Sequence, residues 1–201
     1  ASDGIHIICT KTNTTIVNIN KIVKTNNRFK ADCTIKMVKN NYKYNISIKS
    51  KNCANPALIN HTPRTAKIFQ HGGILHNCVG YIDLIMGEYI NKRTNKIICE
   101  DVLINKLDKL NDIKIRNKFM EVLSYFTFDG SGKGDSVCKA NSVMYYMKDT
   151  ITFIKCRNIE EKTEYIQTIY DNLIISLRDK GMPKEINEYC KPWIFNDNKI
   201  D

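Results

Sequence analysis

The residues of this chain best equipped for chemistry lie between Lys30 and Ser50, where Asp32, Ser47 and Lys49 fall on the two arms of a candidate hairpin. Both arms are rich in β-branched residues and alternate apolar with polar positions. They meet at Asn40-Asn41, and Asn tolerates the positive φ that a two-residue hairpin turn requires. Centred there, Cys33, Ile35 and Met37 face Ile48, Ile46 and Tyr44 to make one apolar side. On the other side Asp32 lies directly across from Lys49, with Ser47 two residues along and pointing the same way. Directly opposed Cβ atoms are about 4.5–5.5 Å apart, so a carboxylate and an ammonium share one small polar site above an apolar sheet. The Asp can hold Mg²⁺ or Mn²⁺ through oxygen, and such a cation lowers the pKa of a bound water. The Lys can orient or deprotonate that water, or stabilise charge on a phosphate. Together these are the parts of metal-assisted phosphodiester hydrolysis. The same geometry also describes an exposed cross-strand ion pair worth about 0.2–1 kcal/mol.

Ala31-Asp32, a hairpin's length of chain, and then Ser47-Ile48-Lys49-Ser50 resemble the PD-(D/E)xK pattern of type II restriction endonucleases. In that family the Asp starts one strand and an acidic-x-Lys tripeptide sits on the next. The stretch from Ala54 to Arg64 is similar to the Asn/Pro-rich turn and helix that follow the motif in some restriction enzymes. Ala31 stands where the pattern has Pro, and Ser47 stands where it has an acidic residue, which removes one metal ligand. The resemblance implies an α/β chain, a single domain over 1–201 with a central mixed β-sheet flanked by helices. It implies Mg²⁺- or Mn²⁺-dependent, sequence-specific endonucleolytic cleavage of double-stranded DNA. Asp32 and the backbone carbonyl of Ile48 would then be metal ligands, Ser47 a weak or water-mediated one, and Lys49 the group acting on the water. Asn55, Asn60, His61 and Arg64 would lie near the DNA, where Asn and Arg can read adenine and guanine; turn and capping chemistry explains the same residues. A palindromic site would require a two-fold homodimer.

The rest of the composition bears on the same question. Lys+Arg number 31 against 21 Asp+Glu, a net charge of +10, and such a field attracts polyanions. An Ile-, Asn- and Lys-rich composition raises the Lys count on its own, so a non-catalytic nucleic-acid-binding protein, a structure-specific or RNA nuclease and a protein-interaction domain remain as rivals. The 8 Cys contain no Cys-x-x-Cys, so buried free thiols in a reducing compartment are expected over structural zinc or disulfides. Asn13-Thr14-Thr15 and Asn45-Ile46-Ser47 match glycosylation acceptors by coincidence. The chain shows no signal peptide and no apolar run long enough to span a membrane, so an intracellular protein without membrane contact is expected.

Positioning the pair requires a sheet. Gly4–Lys11 and Thr14–Val23 read as strands before the hairpin, with no helix ahead of them. Thr62-Pro63 opens a helix to about Gln70. His71 and His76 flank a Gly pair and read as loop residues. Ile82, Ile85, Met86 and Tyr89 mark one helix, and Ile115, Phe119, Val122, Leu123 and Phe126 another. Asp83, Glu88, Glu100 and Asp101 are the acidic residues that could supply a missing metal ligand, and each reads as a solvated surface charge. The run Asp129 to Ser136 has the look of a phosphate-binding loop but lacks its spacing. A Gly-rich loop can still approach a DNA backbone, which makes Ser131, Lys133 and Asn141 contact candidates, or parts of a plain connector. Val143–Met147 and Ile151–Cys156 read as a second strand pair. A last helix opens at Glu160 and runs past Leu177 to a close at Arg178 and Lys180, and the tail carries Trp193, expected to dock against the body.

Overall fold

Opposed strands of alternating polarity dominate the first third of the chain, and the computed structural model arranges them as one sheet. It describes residues 5–9, 14–24, 30–37, 42–50, 58, 67–98, 101–132, 134–147 and 150–176. These divide between two compact units, one drawn from 1–56, 127–131 and 135–161, the other from 57–126, 132–134 and 162–201.

The first unit holds a six-stranded sheet built in chain order from β1 (Ile5–Cys9), β2 (Thr14–Lys24), β3 (Cys33–Met37), β4 (Lys43–Ser50), β5 (Ser142–Met147) and β6 (Thr150–Lys155). Every neighbouring pair is antiparallel except β4 and β5, which run parallel. The sheet is therefore mixed, and the fold is α/β. A parallel neighbour needs a long crossover, which here is the chain from 51 to 141. One face of the sheet is apolar: Ile35, Tyr44 and Ile46 are buried, with Cys33, Met37, Tyr42, Met144 and Phe153 packed around them. Tyr44 stands edge-on to Tyr42 at 4.8 Å and to Phe153 at 5.6 Å, a favourable arrangement of aromatic quadrupoles.

The second unit contains α1 (Val79–Thr94), α2 (Ile113–Ser124) and most of α3 (Ile159–Asn172). Ile82, Ile85 and Tyr89 on α1 and Ile115, Phe119, Val122 and Leu123 on α2 are buried, as their helical spacing predicts. Asp112 caps α2, its carboxylate accepting the N–H groups of Lys114 and Ile115. Among the described residues no helix is long and apolar enough to cross a membrane.

Three expectations change. The last helix stops at Asn172, because Ile174-Ile175 pair antiparallel with Val102-Leu103 and the Ile104 N–H donates to the Leu173 carbonyl at 2.8 Å. Two β-branched residues in succession suit that ladder better than a helix. Residues 59–66 lie outside the described residues, and Lys67–Phe69 is a 3₁₀ turn where a helix was expected. Glu88 is not a solvated charge: its side chain is 9% exposed and accepts the backbone N–H groups of Asp108 and Lys109, each at 2.7 Å. Lys92 completes the group, 2.7 Å from Glu88 and 2.8 Å from Asp108.

Gly73 explains the glycine pair between the two histidines. A Cβ there would run into the backbone carbonyl oxygens of Lys67 and Ile68, and the turn is closed by Gly73 N–H to Gln70 and Leu75 N–H to Ile68, both at 2.8 Å. Gly73→Ala is expected to cost about 2–3 kcal/mol by overpacking against rigid backbone. Thermal unfolding should register that as a drop of roughly 4–12 °C; an unchanged midpoint would show that the turn opens freely.

Candidate active site

The hairpin forms, and its register differs from the expected one by two residues. Cys33 faces Ile46, Thr34 faces Asn45, Ile35 faces Tyr44 and Lys36 faces Lys43. The Met37 N–H donates to the Tyr42 carbonyl at 2.9 Å, so the ladder closes at that pair, and Asn40-Asn41 lies outside the described residues. Asn tolerates the turn conformation but does not set the loop length. A slip of one residue would have exchanged the faces; a slip of two preserves them. Ser47 and Lys49 consequently share the side of the sheet that carries Thr34 and Lys36, and Asp32 leads into β3 at its edge.

What changes is who stands opposite whom. The paired register ends at Cys33 and Ile46, and Asp32 lies just beyond it, at the entry to β3. The Asp32 N–H donates to the Ile46 carbonyl at 2.7 Å. Asp32 Oδ2 accepts the Ile48 N–H at 2.6 Å, so the carboxylate stands where β3 would have supplied a carbonyl. A strand residue turns its N–H and C=O to the same edge, which directs the Ile48 carbonyl toward the Asp32 side. Asp32 is exposed, Lys49 half-buried, and Ser47 is 2% exposed. Among the ion pairs of the described residues none joins Asp32 to Lys49, which removes the simple cross-strand ion pair as an account of these residues.

A third charged group belongs to the site, and sequence reasoning did not single it out. Burial holds the half-buried Lys30 ammonium down to about 8, helped by the positive charge of Lys49 and opposed by the Asp32 carboxylate. Its backbone is pinned from a distant part of the chain. The Lys30 N–H donates to Ser136 Oγ at 2.7 Å, and the Ala31 N–H donates to the Cys138 carbonyl at 3.2 Å. The Ser136 hydroxyl also accepts the Cys138 N–H and donates to the Cys138 carbonyl, while the Ser136 N–H reaches the Asp129 carbonyl at 2.9 Å. The Gly-rich run thus ends in a serine that holds the entry to Asp32. No local sequence signal links Lys30 to Ser136, 106 positions away.

The remaining candidates separate. Asn55, Asn60, His61, Arg64 and Lys133 lie outside the described residues. Ser131 is exposed in the two-residue strand Gly130–Ser131. Asn141 is a bracket within the sheet: its Oδ1 accepts the Asn45 N–H at 2.8 Å and its Nδ2 donates to the Lys43 carbonyl at 2.9 Å. An amide engaged on both sides in this way positions β4 against β5 and is not available to read a base. His71 and His76 stack edge to face at 5.4 Å, in the turn that Gly73 closes. Cys33, Cys78, Cys138 and Cys156 are free thiols, Cys78 and Cys156 buried.

The donor set decides what cation the site can take. Among the described residues no three His, Cys, Asp or Glu converge on a point, and two lysines stand beside the one carboxylate. That does not fit a dedicated all-protein cage. It does fit Mg²⁺ held jointly by one carboxylate, water and a substrate phosphate, the usual arrangement for this ion.

Comparison with known proteins returns no matching family model, no similar curated protein and no similar solved structure.

Proposed function

We propose that this chain is a Mg²⁺-dependent endonuclease that cleaves phosphodiester bonds of double-stranded DNA, sequence-specifically and on a restriction-endonuclease-like fold. The observation that carries the reading is the 2.6 Å hydrogen bond from the Ile48 N–H to Asp32 Oδ2, which seats the acidic residue leading one strand against the Ser47-Ile48-Lys49 tripeptide of its antiparallel neighbour. The net charge of +10 supports a polyanionic substrate. When bound, Mg²⁺ supplies Lewis-acid polarisation of the phosphate and a more acidic water.

Asp32 would hold the ion through the oxygen left over from its bond to Ile48, with the Ile48 carbonyl as the second protein donor. Lys49 would sit over the attacking side, orienting the water and countering charge as the phosphorane forms. Ser47, neutral and almost fully buried, carries no charge to the ion. Metal affinity in the absence of DNA is accordingly weak, and the phosphate completes the site. Cutting both strands at a palindrome would call for a homodimer.

Digestion of a long DNA of known sequence tests this. With 5–10 mM Mg²⁺ or Mn²⁺, a concentration chosen on the order of typical weak-site affinities, the protein should produce discrete fragments with defined ends. EDTA should abolish them. An intact substrate across both metals would overturn the proposal, and cutting confined to junctions or RNA would move it to a structure-specific nuclease.

A further inference from the structure

The true register assembles a second feature on the side of the sheet that carries Lys49. Reading outward along β3 and β4, the opposed pairs on that side are Thr34 with Asn45 and Lys36 with Lys43. Lys21 on β2 continues the last row, directly opposite Lys36. Three lysines therefore occupy consecutive register positions across three strands spaced about 4.8 Å apart. Lys43 is exposed and Lys36 half-buried, and among the described residues neither is ion-paired with a carboxylate. Like charges placed directly opposite one another weaken a sheet. The buried core of the hairpin is on the other face, with Ile35, Tyr44 and Ile46.

The backbone under the row is held firmly. Asn141 bonds the Lys43 carbonyl and the Asn45 N–H, and Thr34 Oγ1 donates to Asn45 Oδ1 at 3.0 Å in the next row on that side. A fixed row of cations beside a polar strip matches the phosphate backbone of a nucleic acid, where positioning contacts come from Lys and Arg. Four residues separate Lys36 from Asp32, about 14 Å along the strand at roughly 3.4 Å per residue. Duplex DNA advances about 3.4 Å per phosphate on each strand, so the row stands about four base-pair steps from the Asp32 position.

We propose that the Lys36–Lys43 row is a docking surface for the phosphate backbone of double-stranded DNA, guiding the duplex along β3 and β4 toward the Asp32/Lys49 site. It builds on the nucleic-acid part of the functional reading above and is independent of whether the site cuts.

Fluorescence anisotropy with a labelled duplex of about 20 base pairs in EDTA, from 50 to 200 mM salt, isolates this step, a range over which phosphate contacts dominate affinity. Removing both charges in Lys36→Gln/Lys43→Gln should lower the slope of log K against log salt by about 2, at roughly 0.9 per phosphate contact. It should also weaken binding tenfold or more at 100 mM salt, within that same electrostatic regime. The thermal midpoint should stay level or rise, since opposed like charges are relieved. The charge-matched Lys106→Gln/Lys109→Gln variant, altered at two exposed lysines, should keep the wild-type slope. Absence of duplex binding by the wild type, an unchanged slope in the row variant, or an equal loss in the control would overturn the proposal. Because EDTA removes cleavage from the readout, a protein that binds through the row but never cuts would refute the nuclease reading alone.

Discussion

Asp32→Asn is expected to lower DNA cleavage by about a thousandfold or more while leaving the protein folded. The change keeps size and shape, and the Asn carbonyl can still accept the Ile48 N–H that Asp32 Oδ2 takes at 2.6 Å. What is lost is the single negative charge that the described site offers a divalent cation. Lewis-acid stabilisation of a phosphoryl transition state is worth several kcal/mol, and each 1.36 kcal/mol is a factor of about ten in rate. Because Asp32 is exposed, the thermal midpoint should move by no more than about 3 °C, in line with loss of part of one hydrogen bond's net worth. Duplex binding in EDTA should be as tight as wild type or tighter, since a negative charge is removed from beside two lysines. A plasmid-nicking time course and anisotropy on the same preparation check both halves. Wild-type cutting by Asp32→Asn would take the ion away from this carboxylate.

Lys49→Ala should have a comparable effect by a different route. Positioned acid–base groups contribute about 10²–10⁴ in rate, and Lys49 is the half-buried cation next in sequence to Ile48, whose N–H the Asp32 carboxylate accepts. Cleavage is expected to fall within that range or below it, with the fold intact because Lys49 makes no ion pair with Asp32 whose loss would strand a charge. Lys49→Arg separates the two possible roles. A guanidinium keeps the positive charge but does not deprotonate. Substantial activity in Lys49→Arg would identify charge stabilisation, and inactivity equal to Lys49→Ala would identify proton transfer from water. Full activity in Lys49→Ala would remove this residue from the reaction. Lys30, drawn close by the Ser136 and Cys138 contacts, would then be the remaining cation beside Asp32.

The strands were legible in the sequence because a two-residue polarity period over β-branched arms has few other solutions. β1 to β6 lie close to where those patterns predict them, and the buried residues of α1 and α2 follow the 3.6-residue spacing. The faces of the hairpin were legible for the same reason. Its register was not, because Asn40-Asn41 signals a turn without fixing how many residues enter it. That slip hid the lysine row: under the shorter turn Lys36 would stand opposite Asn45, and only the longer one brings Lys36 opposite Lys43. Lys30 and Ser136 were beyond reach because their link is a tertiary hydrogen bond between segments with no shared pattern. The end of α3 was missed for a third reason. Ile174 continues a helical stripe as well as it starts a strand, and only the partner strand Val102–Leu103 decides between them.

The most direct test is the cutting of a supercoiled plasmid by wild type, Asp32→Asn and Lys49→Ala, purified in parallel and assayed across a Mg²⁺ titration with an EDTA control. The account predicts that the wild type converts the plasmid to nicked and linear forms only when Mg²⁺ is present, and that both variants leave it supercoiled while still binding duplex. Equal cutting by all three proteins, or none by the wild type at any Mg²⁺ concentration, would contradict it.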